Sequence, residues 1–192
     1  MLTRTVMDHA SGSVLVVYGD PPTPPLEDST GRPLGKNLVL NRANQASFER
    51  ALRSALAQYF GSHVSLATAR VIRIGSAVDF AATIKRESFT HLIYYGHALL
   101  GANALLPSLG KNISGWQLAN ALKGTAIKHF DLLGCETTSL AAELSVALPR
   151  VEIGYLRSWR HDNFEVDPNT LRFKNIRIDP TQLRHFPAKR QP

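Results

Sequence analysis

Five apolar runs of strand length constrain this chain more than any other feature. They are SVLVVYGD (13–20), ARVIRIG (69–75), HLIYYGH (91–97), AIKHFDLLG (126–134) and VEIGYLRSW (151–159). In SVLVVYGD and HLIYYGH the apolar stretches are continuous rather than alternating, the pattern of strands covered on both faces. Helix-like segments separate successive runs. FERALRSALAQYF (48–60) puts Phe48, Leu52, Leu56 and Tyr59 on one face with Ala55 beside them, and TSLAAELSVAL (138–148) does the same with Leu140, Leu144, Ala147 and Leu148. Ser76 with Asp79 caps a helix over AVDFAATIKRES, and Ser114 with Gln117 forms a capping box before GWQLANALKG, closed by Gly124. Strand and helix in alternation predict an α/β fold, a mostly parallel sheet with helices on both faces.

The connections read differently. PPTPPLEDSTGRPLG (21–35) is rich in prolines and turn formers and is expected to be a long loop. LLGANALLPSLGKN (99–112) is expected to be a second loop. Residues 1–160 form the main body, and 161–192, with charged and apolar residues alternating between two Asp-Pro breaks, form an extension of the same domain. That extension holds short edge strands or is partly irregular. A chain of 192 residues that is 44% hydrophobic has enough apolar side chains for one core. None of its apolar runs approaches the ~20 residues of a membrane span. The opening Met1-Leu2-Thr3-Arg4 leads to Asp8 and His9 and not into an apolar signal core, so a cytoplasmic protein with no membrane partner is expected.

The formal charge of +7 raises the question of nucleic acid. The basic residues are scattered, with the largest excess from Arg172 to Arg190, and no finger spacing, aromatic RNA-binding stretch or long basic helix accompanies them. A basic solvated surface is the simpler reading, and no specific nucleic-acid partner is expected. His63, His91 and His129 show no metal spacing with Cys135. In GRPLGKN the glycines stand too close for a phosphate loop, and Asn37 replaces the metal-binding hydroxyl. Ser114 and Ser139 lack a nucleophile-elbow context. Neither cofactor nor metal is expected.

Two strand ends carry the chemistry. His97 follows Gly96 at the end of the third run, and Cys135, the only cysteine, follows Gly134 at the end of the fourth. In parallel sheets ligands bind beyond the carboxyl ends of the strands, so neighbouring runs bring both side chains to one rim. A single cysteine forms no internal disulfide and suits a reducing compartment. A thiol attacks a carbonyl as thiolate; His97 can take its proton and return it to a leaving amine. The helix beginning just after Cys135 favours negative charge there, and the backbone amides of Ala98 and Cys135 are candidate oxyanion donors. The plainer alternative is a buried small hydrophobe and a satisfied rim histidine.

YYGHALLGANALLP and FDLLGCETTSLAAEL resemble the histidine and cysteine blocks of the caspase-like superfamily of cysteine peptidases, most closely those of the bacterial CHAT domains. The likeness covers roughly residues 13–160. It implies a caspase-like three-layer sandwich, a His97–Cys135 dyad, protein or peptide substrates, a bacterial source and a regulatory protein partner. GYLRSWRHD (154–162) is similar to the caspase segment whose arginine holds a substrate aspartate, which implies that Arg160 binds the residue before the cut and that Trp159 walls a neighbouring subsite. Arg42 answers to a second such arginine. Paired planar donors suit a carboxylate. Asp131 is a further candidate, either at the rim attracting Lys or Arg or facing a helix terminus from mid-strand. Two positions depart from the family: Ala98 replaces the usual glycine, and Leu133 stands where caspases place a glutamine. The first favours the alternative of a catalytically inactive interaction module, and the second weakens the preference for an acidic residue.

Overall fold

The computed structural model describes residues 13–20, 25–27, 33–37, 40–61, 66–99, 103–108, 110–134, 137–156, 164–167 and 169–189. The elements follow in order. β1 (Val14–Tyr18) precedes a ribbon of β2 (Pro25–Glu27) and β3 (Pro33–Asn37); α1 (Arg42–Phe60), β4 (Arg70–Arg73), α2 (Ala77–Arg86) and β5 (His91–Tyr95) come next. A small sheet of β6 (His97–Leu99), β7 (Ala104–Ser108) and β8 (Lys111–Ser114) leads to α3 (Gly115–Leu122), β9 (His129–Leu133), α4 (Thr138–Ala147) and β10 (Glu152–Leu156). β11 (Phe164–Val166), β12 (Phe173–Ile176) and β13 (Leu183–Phe186) close the chain.

The central sheet runs β13-β10-β9-β5-β1-β4. Five of its strands are parallel, and β13 pairs antiparallel to β10 at one edge. All five residues of β1 and of β5 are buried, which requires cover on both faces. One core joins Leu15, Val17, Leu92, Tyr94, Phe130 and Leu132 to α2, α3 and α4. The other joins Val14, Val16, Tyr18, Ile93, Tyr95 and Leu133 to α1. Chain direction explains the split. From β1 the chain moves through α1 to β4 at one edge; every later parallel crossover runs the other way. Right-handed crossovers in opposite directions lay their helices on opposite faces.

The expected helices form where their caps stand. Ser76 accepts from Asp79 N–H, and the Ser114–Gln117 box closes as expected. Gly124, just past α3, sits at φ 78°, the left-handed conformation of a helix terminator. Leu140, Leu144 and Leu148 are buried, but Ala147 is exposed and Ala141 takes its place in the core. α1 starts at Arg42, six residues before Phe48, because Asn41 and Asn44 cap each other's backbone. Two expected loops contain strands: β2 and β3 pair within the proline-rich segment, and β6, β7 and β8 occupy much of 97–114. The extension supplies three strands. β13 completes the sheet, and β12 packs on α1, where Phe173 meets Phe48 edge-on at 5.0 Å and its N–H donates to Ser47 Oγ at 3.1 Å.

Candidate active site

β5 and β9 are neighbours in parallel register, from His91 opposite His129 to Tyr95 opposite Leu133. The strand ends that precede His97 and Cys135 therefore emerge side by side. Contact continues past the strands. Gly96 N–H donates to Leu133 O at 3.3 Å. A Cβ added to Gly134 would lie 2.8 Å from Gly96 O and 3.5 Å from the Ala98 Cβ. The chain at Gly134 thus rests on the backbone at Gly96, and only a residue without a side chain lets them approach this closely.

His97 is held from below. Gly96 takes φ +155°, outside the range of ordinary L residues, and a Cβ there would fall 2.8 Å from Tyr94 Oη. The Tyr94 hydroxyl donates to the His97 carbonyl at 2.9 Å. Burial, with Asp20 adding to it, pushes the Tyr94 phenol far above its ordinary range, so it remains a donor. His97 itself is half-buried and begins β6, opposite Leu106. Ala98 follows inside β6, opposite Leu105.

On the cysteine side, Thr137 is fully buried at the start of α4. Its hydroxyl donates to Leu132 O at 3.2 Å and makes no cap to the helix. Among the described residues no side chain caps the first turn of α4, whose dipole favours an anion there. Tyr94 and Thr137 escape sequence reasoning, because a hydroxyl in a buried run looks like one more core residue.

β7 covers the β1/β4 side of the same rim. Asp20 N–H donates to Pro107 O at 2.6 Å, Ser108 Oγ donates to Gly75 O at 2.7 Å, and Pro107 Cα occupies the space 2.6 Å from where a Gly19 Cβ would stand. Arg42 opens α1 and is exposed. It lies at the rim end of that helix, since Phe48 meets Tyr18 at 5.0 Å and Tyr95 at 6.0 Å, at the carboxyl ends of β1 and β5.

Asp131 is not at the rim. It is buried in mid-β9 on the α1 face, where its carboxylate accepts from His91 Nε2 at 2.5 Å. Its charge, after burial, helps hold the Tyr59 phenol protonated on the same face. Cys135, Trp159 and Arg160 lie outside the described residues. Among the described residues no group of three or more His, Cys, Asp or Glu side chains is arranged to hold a metal ion, and no helix is long and apolar enough to cross a membrane.

The rim therefore brings Gly96, Ala98, the Gly134 turn and the start of α4 together, leaves Arg42 exposed at the same end of the sheet, and keeps Asp131 buried in mid-strand. No protein-family model matches this chain, and no curated protein matches it.

Proposed function

We propose that the chain is a cysteine endopeptidase of caspase-like architecture, with Cys135 as nucleophile and His97 as general base and acid. The observation that carries this reading is the contact between the Gly134 turn and the Gly96–Ala98 backbone at the ends of neighbouring strands. In the first step His97 takes the thiol proton as sulfur attacks the scissile carbonyl, and the carbonyl oxygen becomes an oxyanion facing the Ala98 and Cys135 amides. Collapse of that intermediate breaks the C–N bond, and the imidazolium gives its proton to the leaving amine. Water then attacks the thioester carbonyl, losing a proton to His97; the C–S bond breaks, the carboxylic acid is released, and the departing thiolate takes that proton back. The start of α4 favours the thiolate throughout. On this reading Arg160 and Arg42 bind an acidic side chain before the cut, with Trp159 beside them.

Iodoacetamide labelling tests the dyad cleanly, since the chain has a single thiol. Replacing His97→Ala is expected to slow labelling at neutral pH by about 100-fold, within the range for loss of a positioned base. Equal rates in the two proteins would remove the peptidase and leave an interaction module. A mixed peptide library treated with the protein and with its Cys135→Ala form then reads the specificity. Cuts made only by the former, after acidic residues, support Arg160 and Arg42; cuts after other residues exclude that role for them.

A further inference from the structure

The small sheet carries more than His97. Successive residues of a strand point to opposite faces, and residues directly opposite on a neighbouring strand share one. β6 is therefore two-sided. Ala98 and its partner Leu105 turn to the core on the α3 side. His97 and Leu99 take the other face, where Leu106 stands directly opposite His97. Leu99 is 40% exposed and Leu106 is half-buried, so both present apolar surface on the face that carries the His97 side chain. β6 and β7 contain no Asp, Glu, Lys or Arg, so neither strand offers a charged group a partner.

The large apolar side chains exposed among the described residues are Val78, Leu99, Trp116 and Val146. Val78, Trp116 and Val146 project from helices, where a lone apolar residue on the outer surface is ordinary. Leu99 differs by its company: a second leucine and the general base of the dyad share its face. The hairpin that holds it is fixed at both ends. Tyr94 Oη donates to His97 O at 2.9 Å where β6 begins. Before β7, Asn103 takes φ 45°, in the left-handed region, and its carbonyl accepts from the N–H of Gly115, the first residue of α3, at 3.1 Å. A surface already fixed loses little freedom when a ligand covers it, so its apolar contacts go into affinity.

In peptide cleavage the imidazolium gives its proton to the leaving amine. The residue that bears this amine therefore lies on the His97 side of the sulfur, and its side chain meets the strand that carries the histidine. Leu106 stands one strand across from His97, about 5 Å away between Cβ atoms, and Leu99 stands two positions on, about 7 Å along β6. Both are within reach of the side chain just beyond the broken bond. We propose that Leu99 and Leu106 form an apolar subsite for the residue that follows the cut, and that the enzyme prefers leucine, isoleucine or phenylalanine there. The inference rests on the peptidase reading. It adds a selector on the amine side of the bond, opposite the acyl side assigned to Arg42, Arg160 and Trp159.

The test digests a mixed peptide library with the full-length chain and reads the residue after each cut by mass spectrometry. The parent protein is expected to cut about tenfold more often before Leu, Ile or Phe than before Ser or Gly, the discrimination an apolar pocket gives. Leu99→Ser is expected to lose that preference, while the residue before the cut and the rate of Cys135 alkylation stay as in the parent. Leu99→Lys is expected to bring cuts before Asp and Glu. Val146→Ser, which removes an exposed apolar side chain from α4, is expected to cut like the parent. A folded Leu99→Ser protein that keeps the preference overturns the proposal. So does one that loses it together with fast alkylation, since Leu99 then acts through the geometry of the dyad. Should Leu99→Ser fail to fold, Leu106→Ala decides, and an unchanged preference for large over small residues overturns the proposal. Cuts by the parent with no apolar preference overturn the subsite alone. A parent protein that cuts nothing more than Cys135→Ala does overturns the subsite and the peptidase reading together.

Discussion

The β5–β9 pair has histidines at its start, His91 and His129, and one just past its carboxyl end, His97, and the two ends differ in kind. At the carboxyl end His97 is half-buried, follows a glycine in a conformation closed to other residues, and stands between Gly96 and Ala98, which meet a second glycine turn. At the other end His91 is sealed against Phe60 and bonded to Asp131, while His129 lies 3.4 Å from Glu152 and His185 lies 3.1 Å from the same carboxylate. One end is shaped by glycine backbone around a half-buried ring; the other is filled by paired and packed side chains. The difference teaches that the surroundings of the same residue type are set by glycine backbone at one end and by paired side chains at the other.

Placing one methyl group at each end breaks the comparison most directly. At the sealed end Gly154→Ala drives a Cβ into Asp131 Oδ1. The carboxylate cannot swing aside without leaving His91, so the variant is expected to lose about 3 kcal/mol of stability, the scale of a broken buried pair. Urea denaturation checks this; a loss below about 1 kcal/mol means that Asp131 has another buried position open to it. At the rim Gly134→Ala meets Gly96 O, a backbone atom that moves only with its strand. The expected consequence is catalytic more than thermodynamic: displacing the cysteine turn by about 1 Å costs on the order of 100-fold in alkylation or peptide cleavage. A Gly134→Ala protein with full activity places the working geometry elsewhere.

The Tyr94→Phe variant sharpens the same contrast at lower amplitude. It removes the hydroxyl that holds the His97 carbonyl and leaves the ring packed. A stability loss of about 1 kcal/mol is expected. Labelling of Cys135 should slow several-fold, because His97 gains freedom its partner does not follow. Unchanged labelling with lowered stability would make Tyr94 a core residue only.

The sheet and its helices were legible because their signals are local. Buried runs such as Val14–Tyr18 have no polar side to confuse the period, and Ser76, Ser114 and Gly124 mark ends by chemistry that needs no tertiary partner. The hairpins were not legible. β2–β3 and β6–β7–β8 are short and broken by Pro and Gly, and pairing across the chain makes them strands where their composition reads as loop. The start of α1 was missed for a related reason: Asn41 and Asn44 form a capping box without the usual Glu or Gln. At the site, His97 and Cys135 stand out as polar residues closing apolar runs. Asp131 stands out too, but whether a mid-strand carboxylate faces a rim or a sealed partner depends on which strand lies beside it, and His91 is 40 positions away.

The smallest expected effect is the pH dependence of the edge strand, and it probes the sealed end alone. Burial pushes the Glu152 carboxyl up, but the His129 and His185 rings outweigh it and hold the group at about 2, below its ordinary 4.5. A carboxyl lowered in the folded state stabilises fully above its unfolded value and loses that contribution as pH falls through the folded one. The contribution of Glu152 therefore fades from pH 4.5 towards about 2. Burial pulls His185 down, while its bond to Glu152 and the charges of Asp131 and Glu152 raise it above the ordinary 6.5. A histidine raised in the folded state stabilises fully below its unfolded value and ceases to do so as pH rises through the folded one. Together they tie β13 to β10 most firmly between about pH 4.5 and 6.5. The melting temperature of the parent protein minus that of Glu152→Gln should therefore peak inside this window and shrink on both sides. A difference that stays level from acid to alkaline pH would mean that Glu152 holds the edge by packing and hydrogen-bond shape, with no charge carried between the two histidines.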